Sequence, residues 1–124
     1  MTLAAWMVLI AALLPYATVA VVKWTDPGYD NHDPRGWAAR AQGWRARMLA
    51  AQQNGFESFP FFAAVVVLAQ QLGGDQDWVN DLAVGFIVAR LGYTFCYALD
   101  RPSLRSTVWS LGFLCAIGIL LTAA

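Results

Sequence analysis

Charge is scarce in this chain. Only 13% of its 124 residues are Asp, Glu, Lys or Arg, against about 25% in an ordinary soluble domain. Eight acidic and eight basic residues balance, so the basic footprint of a nucleic-acid-binding protein is missing. One histidine and two cysteines are too few and too scattered for a metal cluster. His32 sits in the turn-rich run Asp30-Asn31-His32-Asp33-Pro34 and reads as solvated loop. Cys96 and Cys115 fall inside apolar runs and read as small packing residues. Low-complexity tails and solenoid-length repeats are also absent.

What fills the chain is apolar, at 59% of residues. That composition points to lipid as the solvent. Four stretches are long enough for a bilayer, which takes about 20 mostly apolar residues. They run from Leu3 to Val22, roughly Met48 to Leu72, roughly Leu82 to Leu99, and Ser106 to Ala124. The first and fourth carry no charge; the second contains Glu57 and the third Arg90. Only Met1 and Thr2 precede the first run, so the basic flank of a secretory leader is missing and a span is expected instead.

Turn signals divide the runs into helices. Thr25-Asp26-Pro27-Gly28 and Asp33-Pro34-Arg35-Gly36 make residues 23–36 a loop. Gly73-Gly74 ends one helix, Asp75 or Asp77 caps the next, and Ser103 is the expected cap of the last. The reading is one all-α membrane domain, a bundle of four transmembrane helices over about 3–22, 37–72, 76–99 and 103–123. Arg40, Trp44 and Arg47 should share a face of the second helix. Pro60 and Pro15 should bend their helices, with neighbours satisfying the freed carbonyls.

Lys23, Arg35, Arg40, Arg45, Arg47, Arg101 and Arg105 all fall on one side of these spans. The opposite turn holds Asp75, Asp77 and Asp81 without a cation. Both termini are therefore expected to face away from the cytoplasm. In a bacterium this is an inner-membrane topology.

A carboxylate at the centre of a span costs about 2.5–3.5 kcal/mol on insertion scales, so an intramembrane ionisable residue marks a functional site by default. Glu57 has polar company. Arg47, Asn54 and Glu57 lie within about 80° of one another on the second helix, and Arg90, Tyr93 and Tyr97 within about 60° on the third. Glu57 and Arg90 are expected at similar depth, as an ion pair. Arg105 opens the fourth helix where the third ends. Together these residues make a column of donors from mid-membrane to the cytoplasmic surface, suited to an anionic, polar ligand. A plainer reading remains open: the pair is interhelical glue and the tyrosines are interfacial belt residues.

The run Gln52-Gln53-Asn54-Gly55-Phe56-Glu57-Ser58-Phe59-Pro60, the run Ala89-Arg90-Leu91-Gly92-Tyr93-Thr94-Phe95-Cys96-Tyr97 and the pair Leu104-Arg105 resemble the MAPEG family, the membrane-associated proteins of eicosanoid and glutathione metabolism. The resemblance covers roughly Arg40 to Trp109. It implies a homotrimer with glutathione bound between subunits, open to the cytoplasm. By matched position, Asn54, Glu57, Tyr93 and Tyr97 would hold the peptide, Arg90 would belong to the same polar core, and Gln52 would reach in from the neighbouring subunit. Arg105 matches the arginine that stabilises the glutathione thiolate. The chain departs from the pattern at Ala50, where glutathione-binding members carry an arginine; Arg47, one turn earlier, is the expected substitute.

Three functions are in play. The first is a glutathione-dependent transferase or peroxidase acting on lipophilic electrophiles from the bilayer, without a metal. The second is a non-enzymatic scaffold of the same fold that binds a lipid or a partner. The third, a small proton-coupled multidrug exporter, needs an acid in the first helix, which has none.

Overall fold

The computed structural model describes residues 1–124 and is all helical, with no strand. Its helices are α1 (Leu3–Trp24), α2 (Pro34–Arg40), α3 (Gly43–Gln71), α4 (Gln76–Ala98) and α5 (Pro102–Leu121). By length and composition α1, α4 and α5 can each cross a membrane. α3 is the longest at 29 residues, about 43 Å at 1.5 Å per residue. Its hydropathy is diluted by the polar run from Gln52 to Glu57.

The helix expected to run unbroken from Trp37 to Leu72 is two helices. Ala41 and Gln42 are extended between α2 and α3, and Gly43 takes a φ of 61°. That left-handed conformation costs glycine nothing and other residues about 1–2 kcal/mol. Arg40 is thereby separated from Trp44 and Arg47, so the expected common face does not form. α5 also begins one residue early. Arg101, not the expected Ser103, is its cap and Pro102 its first residue; proline suits that position because its missing N–H has no helical partner there. Asp75 caps α4, accepting from Asp77 N and Trp78 N.

α3 and α4 pack on each other, and both α1 and α5 pack on that pair. The contact surface divides into two halves. Toward the end that carries both termini it is apolar: Phe62, Val65, Val66 and Ala69 of α3 face Val79, Ala83, Phe86 and Ile87 of α4. Ala4 and Ala11 of α1 and Ala116 of α5 fill the same core. Small residues there let helices approach closely, which matters where lipid removes the hydrophobic drive to associate. The Phe62 and Phe86 rings lie parallel, with centroids 3.9 Å apart. The buried stripe of α4 then continues through Arg90, Tyr93 and Cys96. The stripe is thus one continuous face whose chemistry changes from apolar to polar at Arg90.

Each end of the bundle is tied differently. At the termini, Gln70 donates to Thr2 Oγ1 (2.7 Å) and Gln76 Oε1 (3.2 Å). Asn80 Oδ1 accepts from Gln76 and from the backbone of Ala4. Asp75, Asp77 and Asp81 are the charges near that end, while the opposite end carries seven cations and only Asp26, Asp30, Asp33 and Asp100 as acids.

The opposite end is closed by the segment between α1 and α3. Trp37 is buried there; its indole donates to Asp26 Oδ2 at 2.8 Å and its ring meets Tyr29 edge-on. Asp26 Oδ1 accepts from Gly28 N, and Arg45 Nη2 donates to the Thr25 carbonyl. The Gly28 amide and then the Trp37 indole hold the Asp26 carboxyl below its ordinary value; burial opposes them, and the nearby Arg45 charge adds the least. A depressed folded-state value means this carboxylate stabilises the fold above the ordinary aspartate range, about 3.9. That contribution disappears as pH falls through the lower folded value. Acid should therefore release Trp37 before the bundle melts. Tryptophan fluorescence of wild type and Asp26→Asn checks it: the variant should lack the wild type's transition below about pH 4, and identical acid profiles would contradict the assignment.

Candidate functional site

The polar half of the α3–α4 seam brings together Asn54, Glu57 and Arg90. Arg90 is 5% exposed, deep enough that its donors need acceptors within the protein. Its Nη1 donates to Asn54 Oδ1 at 2.9 Å. The amide nitrogen of Asn54 in turn faces Glu57 Oε2 at 3.4 Å. The expected Glu57–Arg90 ion pair is absent; the only pair within salt-bridge distance is the exposed Arg40–Asp33 contact at 3.7 Å. Asn54 intervenes, taking the cation on its oxygen and offering its N–H groups to the acid. Glu57 receives a second donor, Gln53 Nε2, at 3.4 Å, and remains exposed on this chain.

These side chains open on a cavity of about 210 Å³ between α3, α4 and α5. Its polar wall is Asn54, Glu57, Ser58 and Arg90, and its apolar wall is Phe61, Phe86, Trp109, Gly112 and Phe113. Trp109 stacks on Phe113 at 5.2 Å and Phe113 on Phe61 at 5.5 Å. The aromatic wall went unnoticed in the sequence. A signal existed: Arg105, Trp109 and Phe113 recur at four-residue spacing, placing them on one face of α5.

Tyr93 and Tyr97 extend the site toward the α2 end. The Arg90 guanidinium lies 4.3 Å from the Tyr93 ring centroid, and Arg105 lies 4.3 Å from that of Tyr97. The two rings meet edge-on at 5.5 Å. The result is an alternating row, Arg90–Tyr93–Tyr97–Arg105, that starts at the cavity wall with Arg90 and runs toward the start of α5. Each cation–π contact contributes about 0.5–1 kcal/mol when exposed and about 2 when desolvated. Arg105 is half-buried and has no acidic partner.

Two of the expected site residues stand apart. Arg47 donates Nε to the Tyr97 carbonyl at 3.0 Å and Nη2 to that of Ala98 at 3.1 Å. It thus satisfies carbonyls in the last turn of α4, which lack helical partners. Gln52 is half-buried, lines no part of the cavity and makes no side-chain hydrogen bond within this chain. Ala50 is also half-buried, and the neighbouring cations are occupied: Arg45 by Thr25, Arg47 by α4, Arg40 by Asp33. No group of three or more metal-ligating side chains assembles anywhere.

Chemically, the arrangement offers a ligand four things: a carboxylate still short of strong donors, an amide, a buried guanidinium and a free one. A sequence model described as the MAPEG family matches residues 3–124. No curated protein and no solved structure matches the chain.

Proposed function

Because this chain belongs to the MAPEG family, whose members include glutathione transferases and peroxidases as well as proteins without enzymatic activity, we propose that it binds glutathione in the cleft lined by Asn54, Glu57 and Arg90. There it transfers the tripeptide to lipophilic electrophiles from the bilayer, or two glutathione molecules reduce a lipophilic hydroperoxide to alcohol and water and leave as the disulfide. In this reading α3 is the fourth span, the protein is a homotrimer, and the α2 end faces the cytoplasm. The observation that carries the proposal is the relay from buried Arg90 through Asn54 to the exposed Glu57, all three lining one cavity between α3, α4 and α5. An exposed carboxylate at this depth is costly in lipid; a neighbouring subunit and a bound peptide would both relieve that cost.

The chemistry follows from the residues. A free thiol titrates near 8.5 and is mostly protonated at pH 7. The Arg105 guanidinium favours the thiolate by direct attraction. The S–H bond breaks heterolytically, the proton leaves to water at the cleft mouth, and the electron pair stays on sulfur. That pair forms a sulfur–carbon bond to the electrophile while the leaving group departs with its own pair. Asn54, Glu57 and Arg90 orient the peptide, which converts a bimolecular encounter into a local one. The aromatic wall of Phe61, Trp109 and Phe113 shelters the lipophilic partner.

Calorimetric titration of the detergent-solubilised protein with reduced glutathione tests the proposal. Saturation near one site per subunit is expected. Arg105→Ala should leave affinity little changed and reduce thiolate absorbance about tenfold, the equivalent of 1.4 kcal/mol. If affinity is lost instead, the thiolate role is wrong. A second reading, a MAPEG scaffold with another ligand or a structural task, is favoured by Ala50 and by the occupied cations around it. Absence of binding at millimolar glutathione, the upper range of ordinary enzyme affinities, would select it.

A further inference from the structure

We propose that Tyr97 positions Arg105 at the start of α5 with its aromatic ring rather than its hydroxyl. The proposal deepens the glutathione reading and rests on it for its chemistry, though not for its geometry.

Arg105 stands in the first turn of α5. The positive end of the helix dipole lies there and disfavours a cation. No carboxylate lies within salt-bridge distance, and the guanidinium makes no hydrogen bond within the chain. Left to itself, this flexible side chain would extend into water. Instead it lies on the Tyr97 ring, 4.3 Å from centroid to Cζ. A planar, weakly hydrated guanidinium is well suited to lie on such a face.

The ring is held in its turn. Tyr93 meets it edge-on at 5.5 Å, and Tyr93 lies beneath the buried Arg90. The Tyr97 carbonyl accepts from Arg47, which fixes the last turn of α4 against α3. The Tyr97 hydroxyl, by contrast, makes no hydrogen bond within the chain and is left for a ligand. One side chain therefore carries two separable tasks: the hydroxyl meets the bound peptide and the ring aims the cation that acts on sulfur.

Comparing Tyr97→Phe with Tyr97→Leu isolates the ring, because both lack the hydroxyl. With glutathione bound, the pH profile of thiolate absorbance should be similar in the Phe variant and wild type. In the Leu variant it should move to higher pH, with about tenfold less thiolate near neutrality. Affinities of the two variants should agree within about twofold, a difference worth less than 0.5 kcal/mol. A second measurement needs no ligand. In arginine-labelled protein the Arg105 Nε–H resonance, assigned with Arg105→Lys, should be shifted by the ring in wild type and Tyr97→Phe and lose that shift in Tyr97→Leu. A resonance that stays in place in the Leu variant would overturn the proposal whatever glutathione does. An unchanged thiolate profile in that variant would overturn it equally. Should wild type form no thiolate at all, the glutathione reading falls, and the resonance comparison decides the positioning of Arg105 by itself.

Discussion

Replacing Asn54 with leucine should lower the melting temperature of the solubilised protein by several degrees and abolish ligand binding. The substitution leaves Arg90, 5% exposed, without its 2.9 Å acceptor. Stranding a buried polar group costs about 1–3 kcal/mol, and more when it is charged. For a chain of this size each kcal/mol corresponds to roughly 2–8 °C in melting temperature. Leucine has the same branching as asparagine and is no smaller, so a cavity does not account for the loss. Asn54→Asp separates the two halves of the relay. It keeps an oxygen for Arg90 and places a second acid beside Glu57, so stability should largely return while the Glu57 side of the site is disturbed. If Asn54→Leu melts like wild type, Arg90 is satisfied by something other than Asn54 and the relay is not what holds the polar half together.

A bulky side chain at position 55 should open the bundle between α1 and α3. A Cβ built on Gly55 would stand 2.8 Å from Pro15 Cγ and 3.5 Å from its Cβ. Atoms do not approach so closely without something moving. The obstruction is a rigid ring inside α1, so relief requires the helices to part. Overpacking of this kind costs about 1–3 kcal/mol, and Gly55→Leu should show it as reduced stability and a population of misassembled protein. Gly55 lies next to Asn54, so separation here also displaces the relay. Gly55→Ala should show the same effect more weakly. Combined with Pro15→Ala, which removes Cγ, it should cost less than the two changes summed. Simple additivity in that cycle would mean the two residues do not touch.

The bundle's long helices could be read from long, mostly apolar runs separated by turn signals at Gly73 and Pro102, because such runs have few other uses in a chain this short of charge. The polar residues of the site could be read as well, since each is expensive in lipid and their helical spacing places them on facing sides. Their pairing could not. Helical spacing separates Asn54 from Glu57 by about 60°, and depth places both near Arg90; neither quantity says which side chain arrives first. Asn54 does, and Glu57 becomes the second member of a relay instead of the first member of a pair. The burial of Trp37 was equally hidden, because its indole meets Asp26 eleven residues earlier through a loop path without helical periodicity. The break at Ala41 and Gln42 had only Gly43 to signal it. The aromatic wall was masked for another reason: in a membrane helix, rings that face lipid, a neighbouring chain or a cavity are drawn from one alphabet.

The division of charge between the two ends of the bundle has a consequence for assembly. The chain is neutral in sum, yet one end carries an excess of three positive charges and the other holds Asp75, Asp77 and Asp81. In the proposed trimer, copies inserted into one membrane by the same topogenic rule would stand parallel, so like poles would meet. Free in detergent, the same molecules would gain by lying head to tail. Ions of the medium damp this repulsion over about 10 Å at 0.1 M. In the trimer proposed above, ionic strength should therefore help set the order of the copies: salt favours the parallel arrangement that insertion by one rule would give, and dilute buffer favours an inverted one.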